Sequence, residues 1–322
     1  MAAATNSGAK VIAMLLPMVF RARVLISLAA FIGLTAFAPV TPPGTARITP
    51  QSRSAAETSI REAIASSSAE VAVVWQPLDA QPSERLAISA RERFHAASTM
   101  KVPIMIELFR RAAAGDLRLD DTMLVTNRFT SIVDGSPYEL SVTDDSDGEV
   151  YRAIGQQRAL RVLCEAMITV SSNLAANLLI ERLGAKQIQA TVDSLGAGGM
   201  QVLRGVEDQK AFDRGLNNTT DAEGLATLFL KLGRGEVVSA AASREMIDIL
   251  ARQKFNEGIP AGVAAGVRVA HKTGSITRIR HDAGIVFAPR PYVLVVLVRG
   301  LDDAKAADAL IARISRIVAG IR

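Results

Sequence analysis

The ten residues FHAASTMKVP, Phe94 to Pro103, carry the strongest local signal in this chain. From Ser98 onward, apolar residues recur at helical spacing until Gly115, which predicts a helix that opens at Ser98. Residues three apart on a helix share a face, so Lys101 can place its amine beside the Ser98 hydroxyl. A desolvated lysine amine can take the proton of a serine and make it a nucleophile. Ser98 is also compatible with a plain N-cap residue, and this motif alone leaves both interpretations open.

A second polar motif, Ser171-Ser172-Asn173, interrupts two segments with helical periodicity. On such a turn a hydroxyl can relay a proton, and a carboxamide can hold a substrate by hydrogen bonds. Ordinary helix capping by Ser172 or Asn173 explains the same residues equally well.

A third motif, Lys272-Thr273-Gly274-Ser275, lies at the end of a strand predicted over residues 267–272. A cation and a hydroxyl at this place can hold a substrate carboxylate, and Gly274 permits a close approach of the backbone. A free N–H at Ser275 can serve an oxyanion. Taken alone, the motif also fits a strand-to-turn transition with an exposed lysine.

The predicted elements run in the order helix, two strands, a long helical insert, three strands and a closing helix. The strands are predicted from apolar runs at 70–78, 85–90, 267–272, 283–288 and 292–298. This order predicts an α+β fold, with a five-stranded antiparallel sheet flanked by helices and a second, all-helical lobe. We assign residues 54–322 to one catalytic domain. Its sheet lobe comprises about 54–97 and 236–322, and its helical lobe about 98–235.

The first 45 residues have the composition of a signal peptide and linker. An apolar run, Val24 to Ala38, follows Arg21 and Arg23 and ends in the small-x-small triplet Ala36-Phe37-Ala38. We therefore expect an exported protein, periplasmic or secreted. An uncleaved membrane anchor is the alternative.

The composition restricts cofactors and partners. Cys164 is the single cysteine, so neither an intramolecular disulfide nor a thiolate metal cluster can form. The formal net charge is +5, but no Lys/Arg run is interleaved with aromatic residues as in nucleic-acid-binding segments. We expect a monomer that acts on a small molecule, without metal, cofactor or nucleic acid and without a stable membrane partner after signal removal.

The three motifs in this order resemble the signature of class A β-lactamases and class A-like serine hydrolases, within the penicillin-recognising serine enzyme superfamily. The similarity extends to the neighbouring residues, which read FHAASTMKVP at 94–103, TVSSNLAANLL at 169–179 and HKTGS at 271–275. It covers about residues 54–322. The resemblance implies a β-lactamase/transpeptidase-like fold and a reaction that needs no metal or cofactor.

The resemblance implies four catalytic residues. Ser98 would attack the lactam carbonyl, Lys101 would shuttle its proton, and Ser171 would pass a proton to the departing nitrogen. Class A enzymes also carry a glutamate between the second and third motifs, which activates the deacylating water. Glu207, in RGVEDQKA, lies where that loop is expected.

The resemblance also implies the substrate-binding residues. Asn173 would hydrogen-bond the acylamido side chain, while Lys272 and Thr273 would bind the carboxylate. Gly274 completes that motif, and the backbone N–H of Ser275, together with that of the nucleophile, would form the oxyanion hole.

Two departures from the family pattern concern the turn and the deacylation step. Ser172 stands where the family usually has Asp, which can loosen that turn. The loop after Glu207 lacks the usual Pro and the water-holding Asn, and has Asp208, Lys210 and Ala211 instead. Asp208 also competes with Glu207 as the carboxylate of this loop. Asn217 and Asn218 follow this loop. The sequence leaves open whether either replaces the missing asparagine side chain.

Other polar residues suggest additional roles. A Ser-His-Asp site is one alternative, because Asp282 directly follows His281. The chain contains no G-x-S-x-G, so we interpret its three histidines as structural: His95, His271 and His281. Arg278 or Arg280 is expected to add a positive charge for a substrate carboxylate.

The sequence therefore favours hydrolysis of β-lactam rings through an acyl-enzyme on Ser98, with deacylation through Glu207. A D-Ala-D-Ala carboxypeptidase or another serine amidase on cell-wall peptides shares the first three motifs. A penicillin-binding or sensing module that acylates without turnover is the third possibility.

Overall fold

The computed structural model describes residues 49–80 and 84–321. The predicted signal peptide and linker, residues 1–45, lie outside this part. The helices are α1 Pro50–Ala65, α2 Lys101–Ala114, α3 Glu149–Arg152, α4 Leu160–Thr169, α5 Asn173–Leu183, α6 Ala185–Ser194, α7 Gln209–Asp213, α8 Ala222–Gly233, α9 Ala240–Leu250, α10 Ile259–Gly262 and α11 Ala304–Ala319. The strands are β1 Glu70–Pro77, β2 Leu86–Ile88, β3 Phe94–His95, β4 Thr122–Leu124, β5 Phe129–Thr130, β6 Pro137–Tyr138, β7 Gln157–Ala159, β8 Thr219–Thr220, β9 Val269–Ile276, β10 Ile279–Val286 and β11 Tyr292–Arg299.

Five strands form one antiparallel sheet in the order β2-β1-β11-β10-β9. β1 pairs with β11 along its whole length, from Glu70 opposite Arg299 to Pro77 opposite Tyr292. The sheet thus joins segments from both ends of the described chain. The predicted α+β fold with a five-stranded antiparallel sheet is confirmed.

Both faces of this sheet are buried, which explains why its strands are continuous apolar runs. In β11, Val293, Val295 and Leu297 belong to a large core that includes α2, α4, α5 and α8. The residues between them, such as Leu294 and Val296, belong to a second core with α1 and α11. The period of two along a strand sends successive side chains to opposite faces.

The third motif lies at the end of a strand, as predicted, and is itself paired in the sheet. β9 continues past Lys272 to Ile276, and β10 begins at Ile279 instead of the predicted residue 283. Gly274 is opposite His281, and Ser275 is opposite Arg280. Polar side chains are retained in the sheet here because this end of the hairpin borders the candidate site.

Ser98 lies one turn earlier than the α-helix that it was predicted to open. It belongs to a short 3-10 helix, Ala97–Met100, and α2 begins at Lys101. Three two-stranded ladders that the sequence did not predict also form, two of them within the helical insert and one that joins it to β3. They pair β3 with β8, β4 with β7 and β5 with β6. At the other end, α1 begins at Pro50, before the predicted domain boundary at residue 54. None of the helices in the described ranges is both long and apolar enough to cross a membrane.

Candidate active site

Ser98 sits on a turn whose backbone is held from several sides. The preceding residue, Ala97, has a φ of 45°, a left-handed conformation that is uncommon for a non-glycine residue. Its N–H donates to Nδ1 of His95 at 3.0 Å, and the N–H of Ala96 donates to the carbonyl of Asn218 at 2.9 Å. The Ser98 side chain itself makes no hydrogen bond to any other described residue. Its hydroxyl is thus available to a substrate.

Lys101 is fully buried beside the second motif. Its Nζ donates to the Ser171 carbonyl at 2.6 Å and to Oδ1 of Asn173 at 2.7 Å, and it lies 3.2 Å from Oγ of Ser171. Burial lowers the pKa of Lys101 to about 7, although the carboxylates of Asp145 and Glu207 act in the opposite direction. A large fraction of this amine is therefore neutral near pH 7 and able to accept a proton.

Lys272 reaches the same hydroxyl from the sheet. Its Nζ donates to Oγ of Ser171 at 3.0 Å and to the Thr273 carbonyl at 3.0 Å. Burial, and next the charge of Lys101, hold the pKa of Lys272 well below its usual value. Ser171 has a φ of 60°, so its backbone is also left-handed. Its hydroxyl lies between two amines, as a proton relay requires.

Asn173 connects Lys101 to the predicted base. Its Oδ1 accepts from Lys101, and its Nδ2 donates to Oε1 of Glu207 at 2.8 Å. The other carboxylate oxygen of Glu207 accepts from the Ser141 N–H at 3.3 Å. Burial raises the pKa of Glu207, and the bond from Asn173 partly offsets this. The structure thus forms one polar chain of amine, amide and carboxylate.

The segment that carries Glu207 is fastened to α5 by Asn177, a residue that sequence reasoning missed. The Val206 N–H donates to Oδ1 of Asn177 at 2.7 Å, and Nδ2 donates back to the Val206 carbonyl at 3.0 Å. A Cβ on Gly205 would lie 2.6 Å from that Oδ1, so this contact requires glycine. The available signal was spacing, because Asn177 lies four residues after Asn173 on the same face of a helix.

Asp208, the competing carboxylate, has a structural role. It is buried, and its oxygens accept from the Ser131 hydroxyl at 2.9 Å and the Ile132 N–H at 3.0 Å. It also caps α7 by accepting from the Ala211 N–H at 3.1 Å. These bonds occupy both oxygens, so Glu207 is the carboxylate of this loop that faces Asn173.

Arg280 is the arginine that faces Ser98 across a cavity of about 330 Å³. It donates to Oγ of Ser275 at 2.5 Å and forms a two-pronged pair with Asp308. Arg278 instead donates to the Gly300 carbonyl at 2.8 Å, away from this cavity. Of the two arginines, Arg280 is the one that borders the cavity next to Ser98.

The three histidines do not form a Ser-His-Asp site. Asp282 pairs with Nδ1 of His271 at 2.8 Å and not with its neighbour His281. His281 is buried and donates from Nε2 to the His95 carbonyl at 2.9 Å. Burial lowers its pKa to about 4, so it is neutral at physiological pH. His95 and His281 thus support the backbone just before Ser98, while His271 pairs with Asp282.

The predicted site residues line two cavities that meet at Ser98. The cavity of about 330 Å³ is bordered by Ser98, Ser171, Asn173, Thr273, Gly274 and Ser275. A second cavity of about 290 Å³ shares Ser98, Asn173 and Ser275 with it and adds Glu207. Lys101 and Lys272 lie beneath the first cavity, in contact with Ser171. Within residues 49–80 and 84–321, no group of three or more His, Cys, Asp or Glu side chains is arranged to hold a metal ion.

Comparisons with known proteins agree with this geometry. A family model described as the β-lactamase enzyme family matches residues 55–321. The β-lactamase AST-1 of Nocardia asteroides is 29% identical over 253 residues, which cover 75% of this chain and 76% of that protein. Among solved structures, an ancestral (GNCA) class A β-lactamase has a TM-score of 0.69 and 28% identity, covering 82% of this chain and 98% of that one. PBP-A also has a TM-score of 0.69 and 28% identity, covering 82% and 94%. Because the family model spans most of its length, the chain belongs to the β-lactamase enzyme family.

Proposed function

We propose that the protein hydrolyses β-lactams through an acyl-enzyme on Ser98, which water activated by Glu207 then removes. The observation that carries this proposal is the continuous polar chain from Lys272 through Ser171, Lys101 and Asn173 to Glu207. It supplies proton acceptors and donors for both halves of the reaction.

In the acylation half, the Ser98 oxygen attacks the lactam carbonyl carbon and its proton passes to the neutral amine of Lys101. The carbon–nitrogen bond of the ring then breaks. The departing nitrogen takes a proton through the hydroxyl of Ser171, which contacts the amine of Lys101. The N–H groups of Ser98 and Ser275 are suited to the oxyanion, since both residues border the two cavities.

In the deacylation half, Glu207 takes a proton from a water molecule whose oxygen attacks the ester carbon. The ester bond to Ser98 breaks, and the serine oxygen regains a proton from Lys101, which in turn takes up the proton that Glu207 removed from the water. Lys101 and Glu207 thereby return to their starting protonation states. Burial raises the pKa of Glu207, which makes the carboxylate a stronger base than an exposed glutamate.

The decisive experiment is intact-mass spectrometry of purified protein after mixing with benzylpenicillin, together with turnover of a chromogenic cephalosporin. Wild-type protein should gain one acyl group and return to its free mass. Glu207→Gln should keep the adduct, with deacylation slowed about 100- to 10,000-fold. Glu139→Gln, the same change on an exposed glutamate, is the matched control. Turnover of the cephalosporin by Glu207→Gln at the wild-type rate would contradict the role of Glu207.

A specific observation favours a second candidate, an enzyme that acylates but deacylates slowly, as a penicillin-binding protein or peptidase would. Neither later asparagine contacts Glu207. Asn217 accepts from Arg204 at 2.9 Å, and Asn218 accepts from the Leu203 N–H at 2.7 Å. The amide missing from the loop after Glu207 is thus not replaced by either residue. Release of D-Ala from a D-Ala-D-Ala peptide, unaffected by Glu207→Gln, would favour this candidate.

We also propose that the protein is exported and acts as a monomer. The apolar run behind Arg21 and Arg23 supports export, and the site needs one chain because all its proposed groups belong to that chain. N-terminal sequencing of protein recovered outside the cytoplasm tests the first proposal. Finding residue 24 still present would favour a retained anchor. Light scattering of the purified protein tests the second.

A further inference from the structure

The turn that carries Ser171 and Asn173 is the N-terminus of α5. Ser172 is its N-cap residue, and its Oγ accepts from the Ala175 N–H at 3.3 Å. The first N–H groups of a helix have no partners within the helix and need acceptors from elsewhere. A serine hydroxyl at the N-cap satisfies one of them and leaves those of Asn173 and Leu174 unpaired.

A carboxylate from a distant loop accepts from these two groups. Oδ2 of Asp145 accepts from the Asn173 N–H at 2.8 Å and from the Leu174 N–H at 3.0 Å. The hydroxyl of Ser172 lies 3.5 Å from the same oxygen. The other oxygen, Oδ1, accepts from the Asp147 N–H at 3.2 Å, which holds Asp145 within its own loop. A carboxylate at a helix N-terminus is also favoured by the helix dipole.

This contact lies directly behind the groups that act on the substrate. The Asn173 side chain bonds to both Lys101 and Glu207, so a shift of its backbone moves that connection. Ser171 is held in a left-handed backbone conformation, which persists only where the surrounding contacts fix it. The Asp145 carboxylate also borders the same cavity as Ser98.

We propose that Asp145 is a positioning residue of this site, which supplies from another loop the carboxylate that class A enzymes carry at the position of Ser172. It holds the turn between Ser171 and Leu174 and adds a negative charge near Lys101. The inference rests on the proposed function only in taking Lys101, Ser171 and Asn173 as the reacting groups. The sequence suggested a looser turn because Ser172 replaces the usual Asp. Asp145 supplies a carboxylate to the same N–H groups, so the turn is held.

The test compares four proteins: wild type, Asp145→Ala, Ser172→Asp and the double variant. Asp145→Ala should lower the second-order rate constant of acylation by benzylpenicillin about 10- to 100-fold, because small displacements of reacting groups have effects of this size. Its Tm should fall by about 3–8 °C through loss of the helix cap. The double variant returns a carboxylate to the N-cap and should recover the rate constant to within about threefold and most of the Tm. Ser172→Asp alone should give no gain, because Asp145 already occupies the turn.

Asp116→Ala is the control. Asp116 is an exposed aspartate that borders neither cavity next to Ser98, and its side chain accepts no hydrogen bond from the described residues. Its acylation rate constant and Tm should match those of the wild type.

The pH dependence of the acylation rate constant separates an effect of Asp145 on Lys101 from a role in stability alone. The charged groups near Lys101 are Asp145, Glu207 and Lys272, and removing the first should lower the pKa of Lys101. The acid limb of acylation should thus move to lower pH in Asp145→Asn, whose side chain keeps one acceptor oxygen. A residue that only stabilised the fold would leave this limb in place.

Failure of the positioning role of Asp145 can be distinguished from failure of the proposed function. Wild-type protein that is not acylated by benzylpenicillin overturns the proposed function, while the Tm series still tests the role of Asp145 at the turn. Acylation of Asp145→Ala at the wild-type rate overturns the positioning role alone, whatever its Tm. A folded double variant that stays as slow and as unstable as Asp145→Ala overturns it as well.

Discussion

The buried amine of Lys101 is the residue whose chemistry the fold changes most clearly. An exposed lysine is protonated at neutral pH and cannot accept a proton. Here burial lowers the pKa to about 7, and three oxygens of Ser171 and Asn173 surround the amine. The same burial acts on Lys272, so two amines that repel each other when charged can lie beside one hydroxyl.

This environment predicts the pH dependence of acylation. In the proposed mechanism the active form of Lys101 is the neutral amine, which dominates above its pKa and becomes scarce as the pH falls through about 7. The acylation rate constant should therefore rise with pH and level off above that value. Stopped-flow acylation by benzylpenicillin between pH 5 and 9 measures it.

Lys101→Arg tests whether the amine acts as the base. A guanidinium stays charged throughout this range, so the variant should lose about 100- to 10,000-fold in acylation and show no limb near pH 7. Lys305→Arg, on the exposed face of α11, should keep the wild-type profile. An unchanged limb in Lys101→Arg would assign the titration to another group.

At the scale of elements, the site depends on how closely β9 approaches the 3-10 helix that carries Ser98. A Cβ on Gly274 would lie 3.2 Å from Cβ of Ala97 and 3.2 Å from Cγ2 of Thr99. Gly274→Ala should therefore displace the nucleophile by a few tenths of an ångström and reduce acylation about tenfold, with little change in Tm. Gly198→Ala is the control, because a Cβ there meets no atom within 4 Å. Wild-type acylation by Gly274→Ala would show that this approach does not set the position of Ser98.

The buried pair of His271 and Asp282 fixes the segment at Ile259 to the hairpin of β9 and β10. Asp282 accepts from His271 Nδ1 at 2.8 Å and from the Ile259 N–H at 2.8 Å, and both partners of the pair are 1% exposed. Asp282→Ala leaves two buried groups unpaired and should reduce the free energy of unfolding by about 2–5 kcal/mol. Asp302→Ala removes an exposed ion pair with Arg278 and should cost less than about 0.5 kcal/mol. Urea denaturation of both variants measures the difference, and equal losses would contradict the structural role of the pair.

The features that the sequence predicted are those that depend on residues close together in the chain. Apolar runs marked the five sheet strands, and short motifs identified Ser98, Ser171 and Lys272. The extension of β9 was missed because the apolar run stops before Thr273, Gly274 and Ser275, which are held in the sheet by pairing with β10. The contacts of Asp145 and Asn177 join loops and helices that are distant in sequence, and no local pattern encodes such pairing.

For the whole molecule, the central fact is that the sheet is assembled from both ends of the described chain. β1 and β11 pair along eight residues, and the helical insert lies between them in sequence. One buried cluster contains sheet residues such as Val74 and Val295 together with helical residues such as Leu108 and Leu178. Separating the helical insert from the sheet would expose this cluster, so neither part is expected to stay folded alone.

This shared core predicts a single unfolding transition. Trp75, the only tryptophan, is buried on the face of the sheet away from the helical insert, and its fluorescence reports the sheet. Circular dichroism at 222 nm reports mainly the helices, and the two thermal midpoints should coincide.

Leu228→Ala, in the helix α8 that packs on the sheet, should lower both midpoints together, because it removes about 2–5 kcal/mol of core packing. Val162→Ala, at a half-exposed helical site, should shift both by less than about 2 °C. Two separate midpoints, or a Leu228→Ala effect on the helical signal alone, would mean that the lobes fold independently and that the cleft at Ser98 joins two separable units.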